Sequence, residues 1–312
     1  MAPRQQKTSY ATSPRNFQPD RIVTLHPETE STLLPFLETA MPGYKRSNLK
    51  ILLKHNHVAV NGLPQSLNSF PITPDDKVEI NLDREFRVFS NRRVRLVYED
   101  SDVMVIEKGY GLLSMATERA NGKDDTAYAI MREWVKWTDP RQKLFIVHRL
   151  DQNTSGLMMM AKTINAKETM QHNWNNMVLN RKYIAVVEGN VADDSGVIRS
   201  YLAENSAHEV YSTKNPEEGK LAITRYKVLK RGQGHTMLEV ELDTGRKNQI
   251  RVHLKELGHP IAGDRRYGAR PSLIHRLALH AQTLRFVHPI SRREMNFTTP
   301  IPSTFYKLVG GK

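Results

Sequence analysis

The chain has 312 residues, 39% of them hydrophobic, enough for two domains with a sizeable core. It contains no cysteine, which excludes disulfides, thiolate catalysis and cysteine-ligated zinc or iron–sulfur centres. The formal net charge of +13 points to a polyanionic partner, because each neutralised phosphate releases counterions; the plainer reading is a basic but unselective surface.

Residues 1–24 are polar and aperiodic and predict a flexible basic tail, with Arg4, Lys7, Arg15 and Arg21 against Asp20. They lead into no apolar signal region, and no run is long enough to span a bilayer, so a cytoplasmic protein with no membrane partner is expected. Residues 25–82 predict a compact unit. Leu33, Leu34 and Leu37 fall at helical spacing ahead of the stop Pro42-Gly43, and Leu49, Leu52 and Leu53 give a second helix. The other face of that helix carries Lys45, Arg46, Lys50 and Lys54. Val58-Ala59-Val60-Asn61-Gly62 then reads as a strand and a tight turn, and Val78-Glu79-Ile80 as a further strand. Two helices followed by Val-x-Val-Asn-Gly resemble the S4 RNA-binding domain. Asn56-His57 stand where that pattern has a Gly, but Asn tolerates the left-handed backbone. The resemblance implies RNA contact through the four basic residues; a solvated helix face is the bland alternative. Residues 83–93 read as a charged linker.

Residues 94–312 predict the larger domain. Leu96-Val97-Tyr98 and Val103-Met104-Val105-Ile106 suggest a hairpin, and residues 126–138 a helix with Ala127, Ile130, Met131, Trp134 and Val135 inward. Leu144–Val147 and Leu157–Ala161 read as buried strands. Between them lies the polar cluster Gln152-Asn153-Thr154-Ser155-Gly156, rich in turn formers. Arg149 and Asp151 therefore stand where a strand gives way to a loop, on one face if the strand reaches them. Residues 166–179 suggest a helix, 182–189 a strand, 193–220 a hairpin with a long loop, and 222–231 and 236–243 two more strands. Without a family in view, Arg149 and Asp151 could be a surface ion pair and Tyr183 a packing residue.

His148-Arg149-Leu150-Asp151 followed by Thr154-Ser155-Gly156-Leu157 resembles the motif of the RluA-type RNA pseudouridine synthases. Other segments match the same family in its order. Lys182-Tyr183-Ile184-Ala185-Val186-Val187-Glu188-Gly189 resembles its strand with the base-stacking Tyr. Residues 243–253 with Gly263-Asp264 and Tyr267-Gly268 resemble its third motif, and Leu277–Ala281 with Leu284–Pro289 its last strands. The resemblance implies an α+β fold: a mixed, mainly antiparallel sheet with flanking helices and a central cleft, beside the small α/β S4-like unit. It implies conversion of uridine to pseudouridine in structured RNA. Asp151 would be the catalytic group, Tyr183 the stacking platform, Arg251 the partner of Asp151, and Arg149 the side chain that fills the space of a flipped base. Large-subunit ribosomal RNA is the expected substrate, with transfer RNA as the alternative, and the protein is expected to act as a monomer with no cofactor and no metal.

Two departures stand out. Glu107-Lys108-Gly109-Tyr110-Gly111 keeps the Lys and last Gly of the family's Asn-Lys-Pro-x-Gly loop but loses its Asn and Pro. Lys247-Asn248 replaces a common Thr-His, which is expected to alter a supporting or RNA contact. A binding or ribosome-assembly protein that has lost catalysis would not need Asp151, Tyr183 and Arg251 together. A methyltransferase would need a longer Gly-rich loop than Gly232-Gln233-Gly234. His253 and His259 have no carboxylate at ligand spacing, and Gly245-Arg246-Lys247 lacks the rest of a phosphate-binding loop.

Overall fold

Alternating apolar residues in β-rich runs dominate the second two-thirds of the chain, and they assemble into one large sheet. The computed structural model describes residues 21–86, 88–116 and 125–310; residues 1–20 of the expected tail lie outside these. The chain divides between Val88 and Phe89 into two units, a boundary that falls inside the expected linker. Among the described residues no helix is long and apolar enough to cross a membrane.

In the first unit a small sheet has the order β1 (Ile22–Leu25), β6 (Val78–Asn81), β3 (Val58–Val60), β4 (Leu63–Pro64). A second pair joins β2 (Ser31–Thr32) to β5 (Pro71–Ile72). Residues 22–24, expected to belong to the tail, are instead strand, because Val23 and Leu25 turn inward onto the core. The helices α1 (Leu33–Ala40) and α2 (Arg46–Lys54) close that core with Leu33, Leu37, Leu49 and Leu53. Asn61 and Gly62, both at positive φ, make the tight turn between β3 and β4, and Asn56 adopts φ 56° where the S4 pattern has Gly.

The second unit holds an 11-stranded sheet. Its strands are β7 (Val94–Glu99), β8 (Val103–Lys108), β9 (Phe145–Ile146), β10 (Ser155–Ala161), β11 (Val178–Glu188), β12 (Ser195–Glu204), β13 (Val210–Thr213), β14 (Lys220–Gly232), β15 (His235–Leu242), β16 (Leu279–Val287) and β17 (Glu294–Thr298). The order is β13-β12-β14-β15-β11-β16-β10-β8-β7, with β17 on β16 and β9 on β10. Every pairing is antiparallel except β10 with β16. Both faces of the β8/β10 region are covered, so its strands are apolar throughout. On one face α3 (Ala127–Thr138) packs Ala127, Met131 and Val135 on Met104, Ile106, Met158 and Met160. On the other, Ala166 and Met170 of α4 (Ile164–His172) meet Val103, Val105, Leu157 and Met159. Further along the sheet, α6 (Gln249–Glu256) and α7 (Ser303–Leu308) bury Ile250, Leu254, Phe305 and Leu308 against β11 and β15.

The fold is α+β as expected, with local corrections. The helix expected over 166–179 is two, α4 and the short α5 (Trp174–Met177), and β11 already starts at Val178. The strand expected over 144–147 shrinks to Phe145–Ile146, so Arg149 and Asp151 are on no strand. The closing segments 277–281 and 284–289 share one strand, β16, with β17 added beside it.

Candidate active site

Asp151 lies in an irregular loop whose backbone is fixed on every side. The Ser114 hydroxyl donates to Leu150 O at 2.7 Å and accepts from Leu150 N at 3.1 Å. Asp151 O accepts Thr154 N at 3.1 Å, and Gln152 O accepts the Lys108 ammonium at 3.1 Å. Upstream, His148 Nε2 accepts the Met159 N–H at 3.0 Å while the ring packs on Trp174. Burial pushes His148 down to about 3, so the ring is neutral and its acceptor nitrogen is available. Main-chain contacts of this kind hold a side chain in place without touching it.

The loop opens onto a row that crosses the sheet. The registers align Val240 on β15, Tyr183 on β11, Ala281 on β16, Gly156 on β10 and Lys108 on β8. Cross-strand partners share a face, so Tyr183 and Lys108 project on one side with only an alanine and a glycine between them. Gly156 has φ +117°, and a Cβ there would stand 2.2 Å from Ala281 O. Lys108 is wholly buried and gives its three protons to Gly109 O, Leu112 O and Gln152 O at 3.1, 2.8 and 3.1 Å. Burial lowers Lys108 to about 7 even with the Asp151 charge opposing it, and Arg276 and Arg93 lower it too. The three carbonyls are placed to accept from its ammonium form. The departure from the family's loop has a local reason: Gly109 donates its N–H to Arg93 O at 2.7 Å, which a proline could not do.

Arg251 of α6 does not make the direct pair with Asp151 that the resemblance implied. Its Nε and NH2 donate to the two oxygens of Asp264 at 2.7 and 2.8 Å, and its NH1 to Asn248 Oδ1 at 2.9 Å. Its guanidinium lies 4.8 Å from the centre of the Tyr267 ring. Asp264, 3% exposed, is the nearer carboxylate and takes the bidentate geometry. Asp151 feels Arg251 through space. Burial pushes the Asp151 carboxyl up; Arg251, Arg149 and Lys108 pull it down, and Asp264 pushes it up again. Among the described residues the Asp151 side chain has no hydrogen bond and no ion pair. Tyr183, partly buried, has its phenol raised by burial and by the Asp151 charge, with Arg181 opposing.

The family model for RNA pseudouridylate synthase matches residues 102–256, which contain Asp151, Tyr183 and Arg251. Over 291 residues the chain is 32% identical to ribosomal large subunit pseudouridine synthase D of Pasteurella multocida, with 88% of each covered. The chain belongs to the RNA pseudouridylate synthase family, RluA type. It is also 32% identical to an uncharacterized RNA pseudouridine synthase, YlyB, of Bacillus subtilis, over 88% of this chain and 91% of that one. The solved structure of human RNA pseudouridylate synthase domain containing 1 has a TM-score of 0.56 and 24% identity, covers 72% of this chain and 89% of its own, and shows the common fold.

In this pseudouridylate synthase, Tyr183 and Arg251 both lie close enough to Asp151 to feel its charge, Arg251 being paired with Asp264, and Arg149 is exposed in the Asp151 loop. Lys108, Asp264, Asn248 and Ser114 complete the surroundings; the motifs include the first three without a role in the site, and Ser114 lies outside every motif. Their sequence signal is weak: Lys108 stands in a loop that departs from its family pattern, and Asp264 acts through contacts that only the fold creates. His253 and His259 are not neighbours in function. The first contacts Thr224 and Ser200, and the second Glu188 O. Among the described residues no group of three or more His, Asp or Glu side chains is placed to hold a metal. On α2, Arg46 is engaged with Glu38 of α1 at 2.5 Å, whereas Lys45, Lys50 and Lys54 are exposed.

Proposed function

We propose that this chain isomerises uridine to pseudouridine in ribosomal RNA of the large subunit, with Asp151 as the reacting carboxylate. The observation that carries this reading is the state of Asp151: a carboxylate with no hydrogen-bond or ion-pair partner among the described residues, in a fixed loop, with three cations and the Tyr183 phenol interacting with it through space. A carboxylate committed to a tight ion pair would be held away from the ribose. This one is kept ionisable and left free to react. It either attacks C1′ of the ribose, releasing uracil from N1 and forming an ester, or removes a ribose proton to give a glycal-like intermediate. In both routes the base turns and C5 bonds to C1′, which breaks the ester or takes back the ribose proton and so frees Asp151; C5 then loses its proton and N1 gains one, both exchanged with water.

Tyr183 supports the loosened base by stacking, worth about 1–3 kcal/mol. Exposed Arg149 fills the stack the uridine has left, helping to offset an extrusion cost of a few kcal/mol. The first unit, S4-like in its helices and its Asn61-Gly62 turn, adds affinity through phosphate contacts. The choice of RNA follows the relatives, which are named as ribosomal large subunit synthases, and a cytoplasmic site of action goes with that reading. One chain carries the whole site, so a monomer suffices.

The test uses RNA tritiated at uridine C5. Asp151→Ala and Asp151→Asn are expected to lose more than about 10³-fold in tritium release while RNA binding stays within about twofold. Release at the wild-type rate from either variant defeats the assignment. Mapping pseudouridines in ribosomal and transfer RNA from cells with and without the gene decides the substrate.

A further inference from the structure

Asn248 is the point where the third motif departs from the family's common Thr-His, and its contacts are unusually complete. It precedes α6 with φ 53°, in the left-handed region, where a short amide side chain is tolerated. It is 7% exposed. Both ends of the amide are used: Oδ1 accepts from Arg251 NH1 at 2.9 Å, and Nδ2 donates to the Tyr267 hydroxyl at 3.1 Å. Tyr267 is itself anchored, donating to Val210 O at 3.2 Å, and its ring lies against the Arg251 guanidinium. Asn248 therefore ties the residue that covers the guanidinium's face to one end of its fork. Asp264 holds the opposite edge. Three of the five N–H protons of Arg251 are spent in this way, and the others have no partner among the described residues.

We propose that Asn248 is a positioning residue for the isomerisation: it holds Arg251 so that the unspent N–H groups serve Asp151, and as a neutral amide it leaves the charge of Arg251 undiminished. This rests on Asp151 being the reacting carboxylate. The groups that face Asp151 are Arg251 from α6, Arg149 from its own loop, Lys108 from β8, Asp264 ahead of Tyr267, and Tyr183 from β11. Those that face Arg251 are Asp264, Asp151 and Tyr267. Among the cations, Arg251 lowers Asp151 most, so loosening or part-neutralising Arg251 raises Asp151 further.

Two variants separate positioning of Arg251 from a purely structural tie to Tyr267. Asn248→Ala releases the NH1 end of the guanidinium while Asp264 keeps the other edge. Asn248→Asp keeps the shape and the tolerance of positive φ but sets a second carboxylate on Arg251. The acid limb of kcat is expected to move up by about half a unit or more in the first and further in the second. KM for a short stem-loop RNA should change less than about twofold, because a side chain this buried meets no phosphate. Carbon-13 NMR titration of the Asp151 carboxyl, assigned by its loss in Asp151→Asn, reads the same shift without turnover. The carboxyl signal tests Asn248 even if Asp151→Asn proves active and the catalytic reading fails. A carboxyl that titrates as in wild type in both variants overturns the proposal and leaves Asn248 a structural tie to Tyr267. Failure of both variants to fold overturns it equally.

Discussion

Asp151 carries a cost that the fold does not remove. Burial raises its carboxyl above the ordinary value, and three cations only partly reverse this. A folded-state value above the unfolded one means the folded chain binds more protons between the two. Stability from this group is therefore complete below the unfolded value of about 3.9 and is lost as pH rises through the folded value. At neutral pH the ionised carboxylate destabilises the fold. Asp151→Asn removes the charge and keeps the shape, so it is expected to melt at a higher temperature than wild type near pH 7.5, with the difference shrinking toward pH 4. Calorimetry across that range measures it. A variant that melts lower at neutral pH would mean that the three cations, not burial, decide the charge. An inactive yet more stable variant is the pattern expected of a residue held for chemistry. Asp151, Tyr183 and Arg251 are legible from their motifs alone. The partner of Arg251 is not, because Asp264 stands 13 residues on and reaches it only through the turn after α6.

At the scale of elements, the approach of β10 to β16 fixes the site. Gly156 lets the two parallel strands meet, and it sits in the row between Tyr183 and Lys108. Gly156→Ala places a Cβ against the carbonyl of Ala281 and forces a side chain onto positive φ. A cost of about 1–3 kcal/mol is expected from overpacking, with a fall of several degrees in Tm. Activity should fall more steeply than stability, because Asp151 is separated from Gly156 by only a tight turn. Thermal melts with kcat on the same preparation test this, and wild-type values for both would show that the strands can part freely. Apolar alternation announces β8, β10, β11, β14 and β15. It fails where a side chain replaces the ladder. After Ile146 the imidazole of His148 takes the Met159 N–H, so the strand expected to run on to Val147 stops. At Asn173 the amide donates to Thr169 O and ends α4, which periodicity alone reads through. Strand register is likewise absent from the pattern, and the row that joins Tyr183 to Lys108 is invisible until pairing is known.

For the whole molecule, the net charge of +13 raises the question of which basic residues act on RNA. The two units have separate cores, and the groups around Asp151 belong to the second. Residues 1–82 should then contribute affinity and leave chemistry alone. Within them the basic face of α2 is not uniform. Arg46 is ion-paired with Glu38, whereas Lys45, Lys50 and Lys54 are exposed and have no ion pair among the described residues. Each lysine that meets a phosphate contributes close to one unit to the slope of log affinity against log salt. Changing all three to Ala is expected to flatten that slope by about two to three units and weaken binding at low salt, with kcat on saturating RNA unchanged. Arg46→Ala should do much less, because a guanidinium already paired has less charge to offer. Deleting residues 1–82 should raise KM for large RNA at least as much as the triple variant. Filter binding at several salt concentrations gives the slopes, and tritium release gives kcat. A triple variant that binds like wild type at every salt concentration would make α2 a solvated surface and place RNA affinity elsewhere in the chain.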